Sequence, residues 1–301
     1  MSLAPKSRVT LPPGHGSTVL AFLIERFPAI PATEWAGRMA RGLVDDGDTP
    51  LDPGSPYQAG LTVYYRREVP VEPRVPFEET IVHIDDDLVV ADKPHFLPVM
   101  PAGAYVEETL SVRLARRLGN PELVALHRLD RATAGLVVFS ARPASRDAYT
   151  RLFRERLIEK TYEALAPPLP SLAFPYVHES HLAKGEPFFR MQEVPGARAN
   201  ARTEIDVLER GDALWRYQLK PVTGRKHQLR VHMAALGAPI AGDVFYPELR
   251  DEAPGFTEPM CLLARELFFI DPFSGLERRF RSQREWGGSA KMALPPPPSP
   301  G

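Results

Sequence analysis

Leu123-Val124-Ala125-Leu126-His127-Arg128-Leu129-Asp130-Arg131-Ala132-Thr133-Ala134-Gly135-Leu136-Val137-Val138-Phe139 is the stretch from which the rest of the chain can be read. Leu123 to Leu126 and Gly135 to Phe139 are short apolar runs of strand length, and the second is rich in residues that suit a buried strand. A dense polar loop lies between them. Loops held at the ends of core strands are where a rigid scaffold presents chemistry. Asp130 has Arg128 and Arg131 as close neighbours, and nearby positive charge lowers a carboxylate pKa, so it is expected to be ionised at neutral pH. An ionised, partly desolvated carboxylate is a candidate nucleophile. The common use of an isolated Arg-Leu-Asp is plainer: a turn that satisfies loop backbone and pairs ionically.

Further strand-like segments are Ile81 to Ile84, Leu88 to Ala91, Lys160 to Ala166, Thr203 to Leu208, Leu214 to Leu219 and Leu262 to Ile270. Three helical stretches interrupt them, Thr109 to Leu118, Ala144 to Leu157 and Gly224 to Leu236. Strands outnumber helices, and most strand-to-strand steps are too short for a crossover helix. An α+β fold on a mixed or antiparallel sheet is expected. Upstream, Gly14 to Gly47 carries apolar residues at helical spacing, and Leu51 to Val69 reads as short strands and turns. The expected organisation is therefore a small N-terminal α/β module with its linker over residues 1–75, Pro70 to Pro76 being the linker itself. A larger domain follows over 76–290, then a proline-rich, disordered tail over 291–301.

The chain has 301 residues, 37 Lys plus Arg against 38 Asp plus Glu, and one cysteine, Cys261. A single cysteine excludes a disulfide scaffold and a Cys-rich zinc site, and it fits a reducing compartment. No apolar run approaches the roughly 20 residues that span a bilayer, and the first residues lack the apolar stretch of a signal peptide, so a soluble cytoplasmic protein is expected. Balanced charge excludes binding a polyanion through bulk charge. A nucleic-acid function must rest on a local basic surface, and Arg142, Arg146, Arg151, Arg154 and Arg156 along one helical stretch supply a candidate.

Thr223-Gly224-Arg225-Lys226-His227-Gln228-Leu229-Arg230-Val231-His232-Met233-Ala234-Ala235-Leu236-Gly237 has a threonine placed to cap a helix and a glycine placed to end it. Leu229, Met233 and Leu236 give it one apolar face. Arg225 and Lys226 would then sit in the first turn, at the positive end of the helix dipole, with Lys226 four residues before Arg230. Cations stacked where an isolated helix resists them call for an anion, either a phosphate or a carboxylate such as Asp130. Metal binding is not expected. His227 and His232 are turned roughly 140° apart at about 3.6 residues per turn, and these two, like His178 and His181, are read as solvent-facing or structural. In Glu159-Lys160-Thr161-Tyr162-Glu163-Ala164 the alternation puts Lys160, Tyr162 and Ala164 on one face.

Taken together, His127-Arg128-Leu129-Asp130-Arg131-x-Thr133-x-Gly135-Leu136, Lys160-Thr161-Tyr162-x-Ala164 and Thr223-Gly224-Arg225-x-His227-Gln228-Leu229-Arg230-Val231-His232 closely resemble, in order and spacing, the signature segments of the RluA-type pseudouridine synthases. Asp87 to Pro94 is similar to the strand and Lys-Pro turn that opens their catalytic domain, and Gly237-x-Pro239-Ile240-x-Gly242-Asp243 to the continuation after the helix. The resemblance runs from about Ile81 to Ile270. It implies a curved mixed sheet with a central RNA-binding cleft, and isomerisation of uridine to pseudouridine in ribosomal or transfer RNA without cofactor or metal. It implies Asp130 as nucleophile, attacking either the uracil ring or the anomeric carbon. Arg230 would pair with it, and Tyr162 would stack on the flipped uracil and help remove the ring proton. Arg128 would fill the space vacated in the RNA. His127, Arg131, Thr133, Arg225, Lys226, His227 and Gln228 would contact RNA or substrate. Ala134 stands where serine is usual, Lys226 where threonine or serine is common, and Met100-Pro101-Ala102-Gly103 departs from the usual segment. The N-terminal module is placed like the small RNA-binding module of such synthases, although its charge is balanced.

Other readings predict other residues. A hydrolytic N-glycosidase would want a second carboxylate near Asp130. A uridine methyltransferase would want a nucleophilic cysteine, and Cys261 lies in an apolar strand. A catalytically silent RNA-binding protein would be expected to have lost Asp130, Tyr162 or Arg230. A monomer is expected, since no amphipathic pairing segment stands out.

Overall fold

The computed structural model describes residues 6–14, 16–28, 30–66, 72–103 and 105–285. The proline-rich tail and residues 67–71, where the Pro70 to Pro76 segment begins, lie outside the described residues. The chain divides into two compact units, Met1–Glu72 with Ala102–Glu107, and Pro73–Pro101 with Glu108–Gly301.

The first unit carries strand β1 (Ser7–Thr10), helices α1 (Val19–Arg26) and α2 (Ala32–Ala40), and strands β2 (Val44–Asp45) and β3 (Thr62–Tyr65). Its three strands form an antiparallel sheet in the order β1-β3-β2. The Thr18 hydroxyl caps α1 by accepting from the Ala21 N–H. Val19, Phe22, Leu23, Trp35 and Met39 from the helices pack on Val63 and Tyr65 to form this unit's own core.

The second unit runs β4 (Thr80–Ile84), β5 (Leu88–Lys93), α3 (Leu110–Leu118), β6 (Val124–Ala125), β7 (Ala134–Ser140), α4 (Pro143–Arg154), β8 (Glu159–Ala166), β9 (Tyr176–Ser180), β10 (Leu182–Lys184), β11 (Met191–Glu193), β12 (Ala201–Arg210), β13 (Trp215–Pro221), α5 (Gln228–Ala235), β14 (Leu262–Ile270) and β15 (Glu277–Arg281). The main sheet has the order β4-β5-β7-β14-β8-β13-β12-β9, with β15 beside β14 and β6 beside β7. Among its described pairings only β7 with β14 is parallel, so the sheet is mixed. Every residue of β5 and β7 is buried, and apart from Asp92, Lys93 and Ser140 they are apolar or glycine, as in inner strands of a sheet. Tyr149 and Leu152 of α4 pack over Leu88, Val90, Leu136 and Val138, while Leu229 and Met233 of α5 join the separate core of Ala164, Ile205 and Leu219.

Strand register brings the quoted segments together. Lys93 pairs with Gly135, Gly135 with Ala264, Ala264 with Tyr162, and Tyr162 with Leu219, a single row across β5, β7, β14, β8 and β13. Four strands were not foreseen by the sequence reading in this unit: β9, β10, β11 and β15. The first three are short and partly exposed, so they lack the apolar run that marks β5 and β7.

Candidate active site

Asp130 sits on a loop that is pinned from beneath. Its carbonyl accepts the Thr133 N–H at 3.1 Å, which turns the chain into β7. Lys93, fully buried at the end of β5, donates from Nζ to the carbonyls of Pro94, Leu97 and Arg131 at 2.9, 2.7 and 3.2 Å. All three ammonium donors are thereby used. Burial, with Arg284 and Arg131 adding repulsion against a smaller favourable pull from Asp130, holds the pKa of Lys93 well below its ordinary value. Gly135 has φ +111°, and a Cβ there would lie 2.3 Å from the Ala264 carbonyl oxygen, so no other residue lets β7 approach β14 at this point.

The segment bearing Arg230 departs from its sequence reading. The helix begins at Gln228, not Gly224, and the residue before it, His227, adopts a left-handed φ of 55°. Thr223 therefore does not cap it. The Thr223 hydroxyl donates to Gln228 Oε1 at 2.6 Å, and that oxygen also accepts the Arg225 N–H at 3.1 Å, so the glutamine side chain organises the turn in place of a helical start. Arg225 and Lys226 precede the helix and form no first-turn stack. Their side chains donate to the carbonyls of Asn200 and Phe189, at 3.2 and 2.7 Å.

Arg230 is 4% exposed and shared between two carboxylates. Its Nε and Nη2 donate to Oδ2 and Oδ1 of Asp243, both at 2.7 Å, in a bidentate fork. Nη1 is left to donate to Asp130 Oδ2 at 3.0 Å. The rings of Phe245 and Tyr246 lie 4.8 and 5.3 Å from the guanidinium carbon and complete its cage. Burial works to raise the Asp130 pKa, but the charges of His227 and Arg230, the Arg230 hydrogen bond and Arg128 outweigh it, and the carboxyl stays below its ordinary value. Burial lowers His227 to about 4, so near neutrality its ring is uncharged and Arg230 is the principal cation on Asp130.

Asp130, its side chain 23% exposed, opens into a cavity of about 570 Å³. His127, Arg128, Thr133, Tyr162, Arg225, Lys226, His227, Gln228 and Arg230 line it with Asp130, as do Phe153 and Lys160. Among the described lining residues Asp130 is the only carboxylate, which leaves a glycosidase pair without its second member. Arg131 is the expected site residue that the cavity does not receive: its guanidinium pairs with Glu252, while its carbonyl accepts from Lys93. His127 lines the wall with its ring committed, Nε2 accepting the Val138 N–H at 3.1 Å while the ring stacks on Phe153. Burial and Lys160 hold His127 at about 3. Burial and then the Asp130 charge push the Tyr162 phenol above its ordinary pKa.

Asp243, Tyr246, Lys93 and Lys160 were given no site role by the sequence reading. Asp243 and Lys93 lie inside the quoted motifs, so their positions were in view. Tyr246 had no such signal, since only the chain's return past α5 brings it to His227. The helical basic stretch is also altered: Arg142 precedes α4 without a side-chain capping bond, and Arg156 lies beyond its end. Arg142, Arg146 and Arg151 pair with Asp87, Glu122 and Glu155, which leaves Arg154 and Arg156 exposed without a described ion pair. Away from the cavity, potential ligand atoms of His178, Glu193 and His232 lie within 4.8 Å of one another. They are already spoken for. His178 bonds Glu193 at 2.8 Å, and the two ring nitrogens of His232 meet Ser180 and Thr203.

A family model described as RNA pseudouridylate synthase matches residues 87–235. An uncharacterised RNA pseudouridine synthase of Synechocystis is 33% identical over 252 residues, 82% of this chain and 83% of that protein. The dual-specificity RNA pseudouridine synthase RluA of Escherichia coli K12 is 35% identical over 209 residues, 68% of this chain and 93% of its own. Among solved structures, human RNA pseudouridylate synthase domain containing 1 superposes with a TM-score of 0.56 at 28% identity, over 69% of this chain and 85% of that one. The human domain-containing 4 protein gives 0.53 at 27%, over 67% and 87%.

Proposed function

The chain belongs to the RluA-type RNA pseudouridine synthases, and from that premise we propose that Asp130 is the nucleophile with which it isomerises uridine in RNA. The observation that carries the proposal is the hydrogen bond from Arg230 to Asp130 at the wall of a cavity lined by cations. The reaction exchanges one carbon–nitrogen bond for one carbon–carbon bond and the C5 proton for one on nitrogen. No electrons are gained or lost, so the chemistry calls for no redox cofactor. Asp130 adds either to the anomeric carbon, with the bonding pair leaving on the uracil, or to C6 of the ring. The base turns while held, C5 bonds to the sugar, and the carboxylate recovers its electron pair. Arg230, fixed by Asp243, keeps the carboxylate ionised and aimed.

Tyr162 supplies a ring for the uracil to stack on. With its phenol held protonated, it takes up the C5 proton only as it hands on its own, and Asp130, the charge that acts on it, is the acceptor once free of the nucleotide. Arg128 is exposed at the rim, where a guanidinium plane can replace the flipped base in its stack, a flip that costs a few kcal/mol. Thr133, Arg225, Lys226, His227 and Gln228 shape the floor around the nucleotide, and His127 its side wall. The substrate is a structured ribosomal or transfer RNA in the cytoplasm. The enzyme acts as a monomer in this reading, since no amphipathic pairing segment stands out in its sequence. The first unit is a further RNA contact acting through shape more than charge.

Replacing Asp130 by Asn tests this directly. D130N forms no pseudouridine while RNA affinity stays within a few fold; full activity would refute the nucleophile. Mapping pseudouridines in total RNA from cells lacking the protein, against the parent strain, identifies the position modified.

A further inference from the structure

One contact of the site is unused by this mechanism. Tyr246, 4% exposed, accepts the Met191 N–H at 2.7 Å and lies 2.8 Å from His227 Nδ1. Met191 can only donate, so the hydroxyl's own proton is free for another acceptor, and His227 Nδ1 is the one described beside it. Were Nδ1 to carry the proton instead, the Tyr246 hydroxyl would be a buried donor with no described acceptor, an expensive arrangement. The other ring nitrogen points the same way. His227 Nε2 lies 3.7 Å from Asp130 Oδ1, where an N–H is attracted to the carboxylate and a lone pair is repelled. Both ends of the ring select one tautomer.

We propose that Tyr246 and His227 form a relay of fixed polarity that presents a neutral Nε2–H to Oδ1 of Asp130, making the two carboxylate oxygens unequal. Oδ2 is clamped by Arg230, whereas Oδ1 faces a donor that is too distant to bond it fully. Oδ1 is therefore the oxygen that supplies the electron pair for the bond to the nucleotide, and His227 guides it without giving or taking a proton. His227 is a positioning residue, and Tyr246 acts through it. The charged and titratable groups around the ring are Asp130 on its loop, Lys226 and Arg230 on the histidine's own segment, and Asp243 and Tyr246 beyond α5. This assignment of Oδ1 rests on Asp130 being the nucleophile.

Nitrogen NMR of the full chain, labelled at histidine and free of RNA, reads the tautomer without any turnover. His227 should carry its proton on Nε2 and remain neutral from pH 6 to about 8, above its lowered pKa of about 4. A proton on Nδ1, or a charged ring at pH 6, would overturn the relay. In Y246F the hydroxyl that favours the neutral ring is gone, so the His227 pKa should rise. With an RNA substrate kcat should fall about tenfold at nearly constant KM, the scale of one lost hydrogen bond. H227Q retains an N–H donor and H227L does not, while both bear the same left-handed backbone strain. H227Q should keep several times the kcat of H227L, and equal rates in the two would also overturn the proposal. A wild-type chain that isomerises no uridine yet shows the Nε2–H tautomer would instead strike at the nucleophile reading.

Discussion

At the scale of the residue, the ionisation of Asp130 has a different source from the one its neighbours in sequence suggest. Arg128 contributes and Arg131 turns away to Glu252; at neutral pH the larger influence comes from Arg230, a hundred positions later in the chain, because His227 carries charge only below about pH 4. Through-space charge decides a pKa, and sequence neighbours need not be spatial ones. Tyr162 illustrates the same point from the opposite side. The carboxylate that Arg230 keeps charged is what helps hold the phenol protonated. Tyr162→Phe retains the ring on which uracil stacks and deletes only the hydroxyl. Its kcat should drop about 100-fold, within the usual range for a lost proton-transfer group, while KM changes less than threefold. A change confined to affinity, seen in steady-state kinetics on the cognate RNA, would remove the hydroxyl from the chemistry.

At the scale of the element, β7 and α5 carry the site for different reasons. The strand was legible because an unbroken apolar run between polar loops has few other uses, and because a glycine opens it. The same glycine makes a firm prediction. Gly135→Ala places a methyl against the backbone of Ala264 and requires a positive φ, so it should lower stability by about 2 kcal/mol or more, read as a fall in the chemical-denaturation midpoint. An unchanged midpoint would mean that β7 and β14 do not meet as described. Helix α5 was legible in its apolar face but not at its beginning. A threonine, a glycine and two cations look like a first turn, whereas Gln228 reaches back to Thr223 and Arg225 and closes a non-helical turn. Side-chain capping from inside the helix leaves no periodic trace in sequence, so the boundary moved by four residues.

At the scale of the whole molecule, near-zero net charge coexists with a cavity whose lining carries one carboxylate among several cations. The distribution of charge, not its sum, is what meets RNA. Burial of histidines also gives the fold a pH dependence. His95, His127, His227 and His232 are held at about 4, 3, 4 and 4, in each case chiefly by burial. The unfolded chain takes up protons near pH 6.5 that the folded chain refuses. The contribution of these four rings is therefore full above about pH 7, and between 6.5 and the folded values each such histidine removes about 1.4 kcal/mol per pH unit. Asp85, Asp130 and Asp271, whose folded pKa values are lowered, withdraw their contribution only below about 4. Thermal melts should fall steeply from pH 6.5 to 4.5; a level profile from 7 down to 5 would show that these rings are not buried neutral.

Motif order and apolar runs are local properties of a chain, so they mark most strands and helices of the larger unit, the family it joins, and Asp130, Tyr162 and Arg230 as candidate site residues. The partners of those residues follow from three-dimensional packing. Asp243 orients Arg230, Lys93 fastens the Asp130 loop, Tyr246 meets the ring of His227, and Arg131 turns to Glu252. Each of these depends on strand register or on the path of the chain past α5, and hydrogen bonds between groups distant in sequence are fixed by that geometry, not by composition or spacing.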